Sequence, residues 1–248
     1  ADDQLGRVFA HDIRALGVDF ETAPRPGNPP SARCLILVTP DAQRTMNTFL
    51  GASQYLPASA LDLDKIRSAA ILYLEGYLWD PEEPRAAMRV AIDAARSAGR
   101  KVALTLSDAF CIERHRADFR SLIEGGLIDI LFANESEILS LQETGDFDAA
   151  VAATAASVPT LVVTRSEHGA IAVRGGARVA VPAEPIDALV DTTGAGDLFA
   201  AGFLAGQAQG RTLADSLTMG AIAAAEIISH FGARPEADLR ALVAARLG

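Results

Sequence analysis

Lysine is nearly missing: Lys65 and Lys101 are the only two in 248 residues. A Gly-Lys-Ser/Thr nucleotide loop needs a lysine that reaches the β- and γ-phosphates. Lys65 follows Asp64 and Lys101 follows Arg100, so a P-loop NTPase is excluded. Cysteine is as scarce, with Cys34 and Cys111 far apart; no disulfide framework is indicated, and a reducing cytoplasm fits better. The histidines His11, His115, His168 and His230 are scattered, and neither C-x-x-C nor H-E-x-x-H occurs, which leaves zinc unsupported. There is no G-x-S-x-G elbow and no protein-kinase catalytic loop. No apolar run reaches the roughly 18 residues of a membrane helix, and no charged-then-apolar leader opens the chain, so no membrane partner is expected. A basic excess is also lacking. The net charge of −10 and pI of about 4.9 argue against general nucleic-acid binding, yet allow one small nucleotide in a local pocket.

What is present suits a folded core. Half the residues are hydrophobic and the mean hydropathy is +0.20, so burial is ample for one α/β domain or two small ones. "LGRVFAHDIRALGVDF" predicts an amphipathic helix stopped at Gly17. Residues 22–31, rich in Pro and Gly, predict a loop. Strands over 32–39 and 44–50 predict a hairpin, either an inserted flap or an antiparallel edge. Strands "AAILYLEG", "KVALTLS", "IDILFAN" and "VPTLVVT" then alternate with helices over 83–98, 113–124 and 135–142. "GAIAVRGGARVAVPA" predicts a second hairpin, and helices are expected over 196–209, 212–230 and 235–246. This rhythm argues for a mostly parallel sheet with helices on both faces, binding its ligand at the carboxyl ends of the strands.

Three segments carry the chemistry. In "DTTGAGDLFAAGF", Gly194, Ala195 and Gly196 lead into a helix whose first N–H groups lack internal partners and attract anions. The third glycine of a dinucleotide fingerprint is absent, since Phe199 stands there. Asp197 caps the helix, or serves as a base that the helix dipole keeps ionised. "ANESE" places Asn134 and Glu137 past a strand end, three apart: a plain helix start, or an amide and a carboxylate facing the water shell of Mg²⁺. In "VTRSEHGAIAV", Thr164 and Arg165 before the Gly169 turn join two strands, or touch phosphate or ribose.

With these segments in order, the chain resembles the ribokinase-like carbohydrate and purine kinases of the phosphofructokinase-B type, and within them adenosine kinases most closely. "DTTGAGDLFAAGF" is similar to the family's C-terminal signature and "NESE" to its N-x-x-E magnesium motif. "VTRSEHGA" is similar to its T-x-G-x-x-G segment, with Ser166 at the first glycine. The resemblance implies a ribokinase-like three-layer αβα sandwich with a mostly parallel sheet and a small β lid. It implies an ATP-dependent kinase acting on a primary hydroxyl of a nucleoside, adenosine to AMP; a sugar kinase and a non-catalytic nucleotide-binding fragment are the alternatives. Asp197 would be the base and Gly194, Ala195 and Gly196 the anion hole. Mg²⁺ would lie near Asn134 and Glu137, a monovalent cation such as K⁺ near Asp191 and Thr193, and adenine against Ala221 and Ala225. Tyr77, Ser107 and Phe110, with Asn47 and Phe49 of the 32–50 lid, fall where the family contacts its small-molecule acceptor. The lid's apolar face also suggests a homodimer. The chain opens at "ADDQLGRVF", about a quarter of the way into a family member, so residues 1–248 are expected to be one domain truncated at its N-terminus.

Overall fold

A computed structural model describes residues 1–27 and 29–248. They form two compact units, one of residues 1–37, 45–72 and 78–100, the other of 38–44, 73–77 and 101–248.

In the first unit, helix α1 (Gln4–Ala15) starts where the Asp3 carboxylate accepts from Gly6 N at 2.8 Å. Asp3 also accepts from the backbone and hydroxyl of Ser31, at 2.7 and 2.8 Å, which ties the loop back to the helix. Strands β1 (Arg33–Val38) and β2 (Arg44–Phe49) make a two-stranded sheet of their own. The expected hairpin is therefore a separate flap and not an edge of the main sheet. Helix α2 (Leu63–Ser68), capped by Asp62, was not expected; six residues are too few to show a helical period. Helix α3 (Glu82–Ser97) buries Ala87, Met88, Ala91, Ile92 and Ala95.

The second unit is built on a mixed six-stranded sheet flanked by helices, in the order β3-β4-β5-β6-β7-β8. The strands are β3 (Ile71–Glu75), β4 (Lys101–Thr105), β5 (Ile130–Asn134), β6 (Thr160–Thr164), β7 (Ala170–Arg174) and β8 (Ala177–Val181). β4, β5 and β6 run parallel, whereas β7 and β8 fold back antiparallel. Residues 130–133, 160–163 and 170–173 are buried without alternation, as strands covered on both faces must be. The register sets Asn134 beside Thr164 at adjacent carboxyl ends.

The helices of this unit are α4 (Ala109–Glu124), α5 (Glu135–Gln142), α6 (Phe147–Ala155), α7 (Ala195–Ala208), α8 (Leu213–Ile227) and α9 (Leu239–Leu247). α4 begins four residues before the expected start because Asp108 caps it through Cys111 N. α6 was missed; its alanines carry no contrast between faces. α7 and α8 meet at backbone distance. A Cβ on Gly202 would lie 2.5 Å from Met219 O, and one on Gly220 would lie 2.8 Å from Phe199 O. Phe203 of α7 packs edge-on against Phe132 of β5, ring centres 5.5 Å apart. Burying such a ring contributes about 1.5–3 kcal/mol. Among the described residues no helix is long and apolar enough to cross a membrane.

Candidate active site

The carboxyl ends of β3 to β6 deliver Glu75, Ser107, Asn134 and Thr164, and α7 brings its N-terminus to Glu75. Gly194 is the N-cap of α7, at φ +84°, a conformation that suits glycine. No side chain caps this helix. Ala195 N reaches Thr192 O at 3.3 Å, and Leu198 N returns to Gly194 O at 2.9 Å. The N–H groups of Gly196 and Asp197 therefore have no partner among the described residues. Gly196 has ordinary backbone angles, and a Cβ there would meet nothing within 4 Å. Neither strain nor packing requires glycine at this position, and the open space leaves room for the close approach of an anion.

Asp197 stands in that same turn. The sequence predicts a carboxylate held ionised by the helix dipole, but burial dominates and pushes its pKa up. The side chain still reaches solvent, so the crowding comes from one side. Glu75 lies close enough that burial first, and then the Asp197 charge, raise its own pKa. Sequence reasoning missed Glu75; its only signal was a lone carboxylate ending an apolar strand.

Asn134 and Glu137 form a reciprocal cap. Glu137 N donates to Asn134 Oδ1 at 2.9 Å, and Asn134 N and Nδ2 donate to the two Glu137 oxygens at 2.9 and 2.7 Å. Glu137 is buried, and burial pushes its pKa up to about 7 against those hydrogen bonds. Among the described residues no three His, Cys, Asp or Glu side chains converge as a metal cage. Mg²⁺ needs none, since it keeps several waters and is held by one or two carboxylates with substrate phosphates. A buried carboxylate in the first helical turn after a strand end suits that role.

Thr164 ends β6, but Arg165 is engaged elsewhere: its Nε donates to Glu135 at 2.9 Å, and its guanidinium lies 4.2 Å from the Phe147 ring centre. Ser166, where the resembled motif has glycine, sits at φ +49°. Gly169 has φ +80°, and a Cβ there would lie 2.1 Å from Val181 O. Asp191 is buried. Burial works to raise its pKa but is outweighed by hydrogen bonds from Thr193 Oγ1 and N, at 2.7 and 2.9 Å, and from Gly232 N at 3.2 Å. Arg44 Nη1 donates to Thr192 Oγ1, a contact with no sequence signal. Tyr77 donates to Ser107 O at 3.3 Å. Ser107 has φ +74°, backbone strain of the kind found at ligand sites. Phe110 is 70% exposed. Asn47 and Phe49 belong to the other unit, where Asn47 Nδ2 meets Leu35 O at 3.5 Å and Phe49 lies under Arg33.

Residues 184–187, α8 and α9 line a cleft of about 730 Å³. Ala225 faces it, together with Ile222, Glu226 and Ser229; Ala221 is buried in the helix packing instead. Glu226 and His230 had no signal in the sequence beyond their place on a helix.

The pfkB family carbohydrate kinase pattern matches residues 1–239. The solved adenosine kinase from Sinorhizobium meliloti is 48% identical, with a TM-score of 0.96 over 99% of this chain and 75% of that one. A probable sugar kinase protein from Rhizobium etli CFN 42 is 45% identical, with a TM-score of 0.97 over 99% of this chain and 74% of that one. The cytidine kinase of Thermococcus kodakarensis is 37% identical over 108 residues, a match that spans 42% of this chain and only 38% of that relative's length.

Proposed function

The chain belongs to the pfkB family of carbohydrate kinases, and from that premise we propose that it transfers the γ-phosphoryl group of ATP to a primary hydroxyl of a nucleoside, adenosine to AMP. One observation carries this: a carboxylate, Asp197, shares a helix turn with two unpartnered N–H groups. The N–H groups of Gly196 and Asp197 take the charge on the moving phosphoryl group. Asp197 takes the proton of the acceptor hydroxyl, and its raised pKa makes it a stronger acceptor. Kinases of this family use ATP and Mg²⁺; here Glu137 and Asn134 would hold the ion through its waters. When bound it neutralises phosphate charge. In this reading a monovalent cation such as K⁺ would lie beside Asp191, whose carboxylate its donors favour in the ionised form, and Tyr77, Ser107 and Phe110 border the acceptor.

The 48% identity to an adenosine kinase favours a nucleoside acceptor. The 45% identity to a probable sugar kinase supports a sugar as the second reading. ADP release with adenosine, ribose and fructose decides between them, and nucleotide binding without release for any acceptor would leave a non-catalytic nucleotide-binding chain. Asp197→Asn is expected to cut turnover by about 10²–10⁴-fold with ATP binding retained. Turnover near the wild-type level would remove Asp197 as the base.

A further inference from the structure

We propose that Arg165 is a positioning residue: its grip on Glu135 sets the first turn of α5 and so aims the Asn134–Glu137 pair at the ion. This rests on that pair holding Mg²⁺ through its waters.

Glu137 depends on one neighbour for its aim. Its two oxygens accept from Asn134 N and Nδ2, at 2.9 and 2.7 Å, and no other donor among the described residues reaches them. The pair therefore points only as accurately as the start of α5 is placed. The far end of this helix is held by two arginines. Arg116 Nε donates to Ser140 O at 3.1 Å, and Arg120 Nη2 donates to Leu141 O at 2.6 Å. The near end is held by Arg165, whose Nε donates to Glu135 at 2.9 Å. The register sets Thr164 beside Asn134, so the residues that follow them, Arg165 and Glu135, meet across adjacent strand ends.

Arg165 is itself fixed. Its backbone closes a tight turn: Arg165 N donates to Gly169 O at 2.8 Å, and His168 N donates to Arg165 O at 2.9 Å. Its guanidinium lies over the Phe147 ring at 4.2 Å, and Phe147 is the first residue of α6. Arg178 approaches the same ring at 5.9 Å and pairs with Asp148 at 2.7 Å. A flat guanidinium can stack on a ring and still donate from its edge, which an ammonium cannot do.

Stability is a poor reason for this pair. The Arg165 and Glu135 side chains are 28% and 38% exposed, and ion pairs in reach of water contribute little. Aim is a better one, because groups that orient a metal-holding side chain matter to the metal almost as much as the side chain itself.

The test is calorimetric titration with ATP, in Mg²⁺ and in EDTA, which reads the gain in affinity that the ion brings. The variants are Arg165→Met, Glu135→Ala, the two combined, and Glu137→Gln. Each single change to the pair is expected to cut the gain about tenfold, and the combination no further, since both break one contact. Affinity in EDTA should stay near that of the wild type. Charge alone would drive the two single variants apart, because one removes a positive group and the other a negative group from the ion's surroundings. Opposite effects on the gain therefore overturn the proposal, as does an unchanged gain in a variant that keeps its melting temperature. A loss in Arg165→Met that is just as large in EDTA also overturns it, since the arginine would then touch phosphate itself. Should Arg165→Met fold poorly, Glu135→Ala decides alone. Glu137→Gln separates the two readings. If the wild type gains nothing from Mg²⁺, or Glu137→Gln keeps the gain, both fall; if Glu137→Gln loses the gain and the pair variants keep it, Arg165 falls alone.

Discussion

Glu137 makes stability depend on pH in a direction opposite to most acidic residues. Its pKa rises from 4.5 to about 7 because burial disfavours the charged form. Between those values the folded chain keeps a proton that the unfolded chain has released. Stability therefore falls as pH rises through this window, and the loss is complete above about pH 7. At ~1.4 kcal/mol per pH unit, the shift amounts to about 3 kcal/mol, a sizeable part of the ~5–15 kcal/mol that holds a domain folded. Glu137→Gln removes the titration, and any pH-independent cost of the exchange shifts its curve without tilting it. Urea unfolding of both proteins from pH 4.5 to 8 is the assay. Asp197 and Glu75, whose pKa values are also raised, titrate in the same sense, but they are common to both proteins and cancel in the difference. The expected difference curve rises by about 3 kcal/mol in favour of the variant. A flat curve, or one that favours the wild type at high pH, would refute the burial argument.

Gly196→Ala should separate stability from function: with nothing within 4 Å of the new methyl group, the helix gains about 0.5–1 kcal/mol, while ATP affinity measured by calorimetry falls. Unchanged affinity would end the case for Gly196 as part of the cradle. Ser166→Gly relieves a left-handed residue at φ +49°; left-handed strain of about 1–2 kcal/mol less a backbone entropy cost of about 0.5–1 kcal/mol leaves a gain of about 0.5 kcal/mol, readable as a higher Tm. Gly169→Ala drives a methyl group to 2.1 Å from Val181 O and should cost more than about 2 kcal/mol; a Tm within a degree of the wild type would contradict it.

Most elements were legible because their signals are local. The strands at 130–134 and 160–164 are unbroken apolar runs, and α3 repeats its apolar residues on one face. Helices α2 and α6 were not legible, the first for its length and the second for its near-uniform alanine. The Gly-Ala-Gly turn and Asp197 stood out because glycine and a carboxylate together answer to an anion. Glu75, Arg44 and Glu226 did not. Each takes its meaning from a residue remote in the chain, as Glu75 does from Asp197 and Arg44 from Thr192. Ala221 and Ala225 were indistinguishable on paper; the rotation of α8 sends one inward and the other to the cleft.

The glycine contacts between α7 and α8 have a mechanical effect. Because Gly202 and Gly220 bring main chain against main chain, with only the buried Phe199 ring alongside, little side-chain freedom lies there to absorb a shift. One helix begins at the Gly-Ala-Gly turn and the other carries a wall of the cleft, so turn and cleft are held at a fixed spacing. The pair acts as a ruler. Were the turn to take the last phosphate and the cleft the base, a nucleotide with one phosphate fewer could satisfy one or the other, but not both at once.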